Sequence, residues 1–134
     1  MRNLVRSIVL LLALGLSEPV LAGPREDANA AYQKQDYATA LRLLRQLADQ
    51  GDAWAQFNLG VMYVNGRGVP KDAVQAVKWY RLAADQGNAT AQSNLGGMYA
   101  SGQGVPKDYA QAVKWYRLAA DQGDARAQFN LGLM

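Results

Sequence analysis

Gly68 to Gly87 reads GVPKDAVQAVKWYRLAADQG, and Gly104 to Gly123 reads GVPKDYAQAVKWYRLAADQG. Extended backwards, the two copies become units of thirty-six residues, Gly51 to Gln86 and Gly87 to Gln122, identical at twenty-seven positions and different at nine. A third copy starts at Gly123 and matches Gly51 to Met62 at ten of twelve positions before Met134. A fixed period of this size marks a solenoid, in which each unit is one supersecondary element that buries its apolar face only against its neighbours. Function is therefore expected on surfaces made by stacking.

Each full unit predicts two helices. In the first helix (helix A), Asp52 is a candidate N-cap, and Ala55, Leu59, Met62 and Tyr63 fall on one helical face. The loop Asn65-Gly66-Arg67-Gly68-Val69-Pro70 ends it, because Gly66 suits the left-handed position after a helix and Pro70 cannot continue one. In the second helix (helix B), Asp72 is the candidate cap, Ala76, Trp79, Tyr80 and Ala83 share a face, and Gly87 ends the unit. Gly60, Gly96 and Gly132 recur inside helix A although a mid-helix glycine costs about 1 kcal/mol relative to alanine. Close packing against helix B is the expected reason. The predicted helices run over residues 25–34, 37–48, 53–64, 72–85, 89–100, 108–121 and 125–134, with no strand. The core is assigned to Leu59, Tyr63, Trp79, Tyr80, Leu95, Tyr99, Trp115 and Tyr116, with Trp79 and Trp115 as its bulkiest members.

Residues 23–52 read as a shortened first unit, a helical hairpin that ends in LADQG like its successors but lacks the Gly-rich loop. Residues 53–88 and 89–124 are the full repeats, and 125–134 is a partial one holding the first helix alone. Residues 1–22 have the order of a signal peptide: Arg2 and Arg6, the apolar run IVLLLALGL, then small or aliphatic residues up to a predicted cut after Ala22. The apolar run spans nine residues, against the about 20 needed to cross a bilayer. The expectation is a periplasmic or secreted bacterial protein with no stable membrane insertion after cleavage.

The inventory narrows the chemistry. The 134 residues include no His and no Cys, which removes the usual general base, the thiol nucleophile, imidazole ligands and disulfides. No serine heads an S-x-x-K motif. Gly66-Arg67-Gly68 and Gly102-Gln103-Gly104 read as turns, since neither leads into the Lys-Ser/Thr pair of a phosphate loop. The formal charge of +3 is spread among acids, with no basic stripe of the kind nucleic acid requires. The aspartates gather at helix ends, Asp49, Asp85 and Asp121 before the glycines and Asp52, Asp72, Asp108 and Asp124 near the starts, which favours capping over a catalytic pair. Arg81 to Asp85 and Arg117 to Asp121, at i and i+4, suggest solvated pairs, with Lys78 and Lys114 alongside. Neither metal, cofactor nor catalytic residue is expected.

The pattern A-x-A-Q-x-N-L-G-x-M-Y, then G-x-G-V-P-K-D, then Q-A-V-K-W-Y-R-L-A-A-D-Q-G resembles the Sel-1-like repeat family, relatives of the tetratricopeptide repeats, over nearly all of residues 51–134. The first unit is closer to a plain tetratricopeptide hairpin. The resemblance implies an all-α, right-handed superhelix of antiparallel helix pairs, an α-solenoid whose concave face, lined by the A helices, holds a protein or peptide. It also implies an adaptor or scaffold without catalysis. A cysteine-rich branch of the family is linked to β-lactam binding and β-lactamase-like activity, which gives an alternative as a cell-wall enzyme. This chain lacks that branch's cysteines.

Comparison of the units points to the same face. Six of the nine differences lie on or beside helix A, and Trp54, Phe57, Val61 and Val64 step by three, four and three into one stripe. The stripe becomes Thr90, Ser93, Gly97 and Ala100, then Arg126, Phe129 and Leu133. Such a face is expected to bind the partner, with Trp54 and Phe57 as exposed anchors and Asn65 at its edge; packing of these aromatics against the first hairpin is the competing reading. Asn58, Asn94 and Asn130 recur beside the stripe, where their amides suit either the backbone of an extended peptide or an interhelical hydrogen bond. Leu131 and its neighbours have no helix B over them, so the C-terminal helix is expected either to self-associate or to mark a truncated fragment with no independent role.

Overall fold

The computed structural model describes residues 22–134; the expected signal peptide lies almost wholly outside them. Seven helices follow one another: α1 (Pro24–Gln33), α2 (Tyr37–Asp49), α3 (Ala53–Asn65), α4 (Ala73–Asp85), α5 (Ala89–Ser101), α6 (Tyr109–Asp121) and α7 (Ala125–Leu133). The main packing runs between consecutive helices, as in an all-α solenoid. None of these helices is long and apolar enough to cross a membrane.

The expected caps form. Asp52, Asp72, Asn88, Asp108 and Asp124 each accept a hydrogen bond from the backbone amide three residues on, at 2.8–3.1 Å. Asp36 does the same for Thr39 at the start of α2. Gly66 and Gly102 adopt φ of 66° and 71° at the ends of α3 and α5, the left-handed geometry that favours glycine. Asp49, Asp85 and Asp121 correct the capping expectation. Each is the exposed last residue of its helix, where a cation would suit the dipole better.

The mid-helix glycines have the expected reason. A Cβ on Gly60 would stand 2.5 Å from the Tyr80 ring, and one on Gly96 would stand 2.8 Å from the Tyr116 ring. Removing that carbon lets α4 settle on α3 and α6 on α5, burying both tyrosines. Gly132 meets no such ring among the described residues. The second glycine of each loop serves the next join: Gly68 rests on the Tyr37 backbone and Gly104 on the Ala73 carbonyl, so each loop sits at the start of the preceding unit's helix B.

Adjacent units are tied by amides that the sequence reading passed over. Gln56 and Gln92 are 4% exposed and donate to the Ala48 and Ala84 carbonyls at 3.2 and 3.1 Å. Gln86 then donates to Gln56 and Gln122 to Gln92, both at 2.8 Å. Arg45 donates to the Tyr63 hydroxyl at 2.8 Å, and Arg81 repeats the contact with Tyr99. Arg81 therefore does not form the expected pair with Asp85; a phenol within reach on the next unit is a fixed partner, whereas a solvated i, i+4 carboxylate gains little. Among the described residues the ion pair is Arg25 to Asp52, at 2.7 Å.

The core has two clusters, one around Leu44, Leu59 and Met62 and the other around Tyr80, Leu95, Tyr99, Trp115 and Tyr116. Two core assignments need correction. Trp79 is only half-buried at the side of the first cluster, whereas Trp115 is 6% exposed, and Tyr63 is also half-buried, with its hydroxyl under Arg45. Position in the stack, rather than the repeated sequence, sets their burial.

These contacts predict opposite outcomes for adjacent glycines. Gly96→Ala should cost about 1–3 kcal/mol in urea unfolding, because its methyl overlaps a packed ring. Gly97→Ala should gain about 0.5–1 kcal/mol, since its Cβ would meet only the Tyr116 hydroxyl at 3.4 Å and the helix favours alanine. Acid should weaken the fold through Asp52. Burial pushes its carboxyl up, but hydrogen bonds from Arg25 and Ala55 and the Arg25 charge outweigh burial and hold it below the ordinary 3.8. A carboxyl with a lowered folded pKa contributes stability above its unfolded value, and that stability fades as pH falls below it. Asp52→Asn, which keeps an N-cap, should therefore lose less melting temperature than the parent between about pH 5 and pH 2.

Candidate functional site

The stripe of varying residues on the A helices is not uniform in depth. Phe57 of α3 stacks on Tyr80 with centroids 5.9 Å apart, and Val61 packs beside it against the core. One unit later the equivalent positions are Ser93 and Gly97, so Tyr116 has no ring on its face and little side chain over its hydroxyl. The two small residues hollow out the middle repeat. A cleft of about 350 Å³ opens there, lined by Val64, Tyr80, Ser93, Asn94, Gly97, Met98, Gln103, Tyr116, Arg126 and Asn130.

The cleft is built from five helices and one loop, with Val64 of α3 at its edge and Gln103 from the loop after α5. α5 supplies its floor through Ser93, Asn94, Gly97 and Met98; α4 and α6 send Tyr80 and Tyr116 through from behind; α7 supplies Arg126 and Asn130. Tyr80 and Tyr116 are 3% and 5% exposed, yet their hydroxyls reach the amides of Asn94 and Asn130 respectively. Burial pushes both phenols above their ordinary range, against these hydrogen bonds and the Arg126 charge. Arg126 donates to the Asn94 Oδ1 at 2.9 Å. With its oxygen taken by Arg126, Asn94 has its NH₂ left to offer, and the Tyr80 hydroxyl has a proton to donate.

Five residues assigned to binding from the sequence meet here: Ser93, Asn94, Gly97, Arg126 and Asn130. Ser93 is buried in the floor rather than presented on a surface. Trp54, Phe57, Asn58, Val61, Asn65, Thr90 and Phe129 lie outside the cleft lining. Trp54 and Phe57 are half-buried, not exposed anchors. Trp54 packs against the first hairpin's cluster, with the Arg25 guanidinium 5.7 Å above its ring, and Phe57 has its partner in Tyr80. Phe129, 67% exposed, has no such ring among the described residues.

The recurring asparagines resolve into two environments. Asn94 and Asn130 stand near the Tyr80 and Tyr116 hydroxyls, whereas Asn58 donates to its own helix at the Trp54 carbonyl, 2.7 Å away. The cause is one substitution: Leu44 stands in α2 where Tyr80 and Tyr116 stand in later units. Sequence reading missed the tyrosines as cleft residues by counting them only as core. Tyrosine in place of phenylalanine at a buried repeated position was the available signal, since a buried hydroxyl needs a partner.

The fold and family agree with comparisons to known proteins. The Sel1 repeat model matches residues 27–52, 55–88, 89–124 and 125–134, which brings the shortened first hairpin into the family as well. The crystal structure of a Sel1 repeat protein from Oxalobacter formigenes is 40% identical with a TM-score of 0.76, over 79% of this chain and 44% of that one. The protective antigen c5321 of uropathogenic Escherichia coli, which displays the same repeat fold, is 41% identical with a TM-score of 0.74, over 79% of this chain and 24% of that one. This chain thus spans less than half the length of either protein. Cysteine-rich protein B of Helicobacter pylori, at 23% identity and a TM-score of 0.66, shares the fold. No curated protein is significantly similar. Sel1 repeats generally serve as protein-interaction scaffolds, and on the family model's match across four successive segments this chain belongs to the Sel1 repeat family.

Proposed function

We propose that the chain is an exported scaffold that holds a peptide segment of a partner protein along its helix A face, without catalysis, and that the cleft of the middle repeat is where the segment is gripped. The observation that carries this reading is the hollow itself. A repeat protein with Phe57 and Val61 available to fill the position has Ser93 and Gly97 there instead, and it opens buried tyrosine hydroxyls and two amides to a ligand. Side chains that vary while the packing residues stay constant are the expected pattern for a recognition face on a shared framework. Thr90 and Phe129, both exposed on A helices, extend the surface on either side. Export to the periplasm rests on the charge, apolar core and small residues in order through residues 1–22.

The repeat supplies its own test variant. Ser93→Phe with Gly97→Val gives the middle unit the side chains its predecessor already packs beside Tyr80, so the fold should melt no lower than the parent. A displayed library of random twelve-residue peptides should enrich binders on the parent and lose them on this variant. Equal enrichment on both would overturn the cleft as the binding site. Expressed from its own start codon in a Gram-negative host, the chain should appear in the periplasmic fraction, shortened by residues 1–22.

A further inference from the structure

The geometry points to a carboxylate as the group the cleft recognises: Arg126 and the hydroxyls of Tyr80 and Tyr116 converge on a space with no acidic side chain in its lining. This inference rests on the peptide-binding reading above and gives it a chemistry.

The lining has one charged residue, Arg126. Its bond to the Asn94 oxygen uses one N–H at 2.9 Å and fixes the guanidinium over the cleft. A guanidinium has five N–H donors in a planar fork, and a carboxylate takes two of them side by side. The two phenols complete the set. Each stands near an asparagine amide, Tyr80 near Asn94 and Tyr116 near Asn130, and each carries a hydroxyl proton that it can donate. Both are held neutral by burial, and neither offers a competing negative charge.

The arrangement disfavours other ligands. A cation would meet Arg126 with no carboxylate to offset it. An apolar side chain would strip water from the guanidinium and two hydroxyls without replacing their hydrogen bonds. Gly97 bears on this directly, because a Cβ there would already touch the Tyr116 hydroxyl at 3.4 Å, and larger side chains would cover it. Position 126 is also where the repeats diverge most in character, with Trp54 and Thr90 at the equivalent sites. The charge is a feature of this junction alone among the three.

A peptide offers carboxylates from two sources, an acidic side chain and the C-terminus, and three blocked or free pentapeptides separate them. The first is an alanine peptide blocked at both ends with Glu at its centre, the second is its Gln counterpart, and the third is all-alanine with a free C-terminal acid. Each is titrated into the purified isotope-labelled chain while the backbone amides of Asn94, Gly97, Arg126 and Asn130 are followed by NMR. Saturable shifts at these residues with the Glu peptide assign the site to acidic side chains, and with the free-acid peptide to a C-terminus; either supports the inference. The Gln peptide should bind at least tenfold more weakly. Arg126→Gln should weaken the carboxylate peptide at least tenfold, and Arg126→Lys by less, since it keeps the charge without the fork. Arg117→Gln, on the exposed side of α6, should leave binding unchanged. A Gln peptide that binds as tightly as the better of the two carboxylate peptides, no saturable shift with any of the three, or no effect of Arg126→Gln would overturn the inference. If library peptides still bind the parent and not the refilled Ser93→Phe, Gly97→Val variant, the peptide-binding reading survives that failure.

Discussion

In each full repeat a mid-helix glycine lies against a tyrosine ring with no room for a Cβ, Gly60 against Tyr80 and Gly96 against Tyr116. The interaxial distance of the hairpin depends on it, because a single Cβ would have to occupy the space of a ring carbon. A mid-helix glycine costs about 1 kcal/mol, and full burial of a large aromatic side chain offsets that cost, at roughly 1.5–3 kcal/mol. The tyrosines packed in this way also line the cleft. The packing constraint that closes the hairpin thereby delivers the polar groups of the cleft.

What joins one hairpin to the next is chemically different. Within a unit the contacts are apolar apart from one glutamine pair; between units they include buried glutamine amides on backbone carbonyls, arginine to tyrosine hydrogen bonds and glycine loops resting on backbone. An amide buried between units must be matched in position and direction, so it fixes the relative placement of repeats more sharply than an apolar contact could. The first junction departs from this scheme in a way its sequence explains. Arg67 donates to the Tyr32 hydroxyl at 2.5 Å and lies over the rings of Tyr32 and Tyr37, which meet edge to face 5.3 Å apart. Its counterpart Gln103 has no such aromatic pair to serve and instead lines the cleft.

The fold was legible because its signals are local and repeated. Helix ends were marked by Asp, Asn and Gly whose capping chemistry acts within three residues, and the purpose of Gly60 and Gly96 followed from their cost. The site was legible only in part, since it is made by contacts thirty or more residues apart. The stripe that varies between units contributes Ser93, Gly97 and Arg126 to the cleft lining. The comparison could not show that Trp54 is covered by Arg25 and the first hairpin, because that hairpin is the divergent part of the sequence. It could not separate Asn58 from Asn94 either, since the difference lies in their partners, Leu44 against Tyr80. The buried glutamines escaped notice because a polar residue on a helix reads as solvent-facing unless its acceptor on the neighbouring helix is known.

The cleft follows from loss of symmetry within a symmetric framework. Identical repeats would present the same groove at each junction, and binding would then depend on the number of units. Here each junction has a different stripe. At the first, Phe57 and Val61 fill the space and Leu44 removes the phenol below Asn58. At the second, Ser93 and Gly97 vacate it while Tyr80 and Tyr116 remain on either side. The third brings Phe129 and Leu133 back into the filling positions but contributes Arg126 towards its neighbour. One cleft thus combines an open volume, two hydroxyls and a cation drawn from three successive units. Selectivity in such a site belongs to the order of the repeats rather than to any one of them, so exchanging two units of nearly identical sequence would preserve every helix and abolish the cleft.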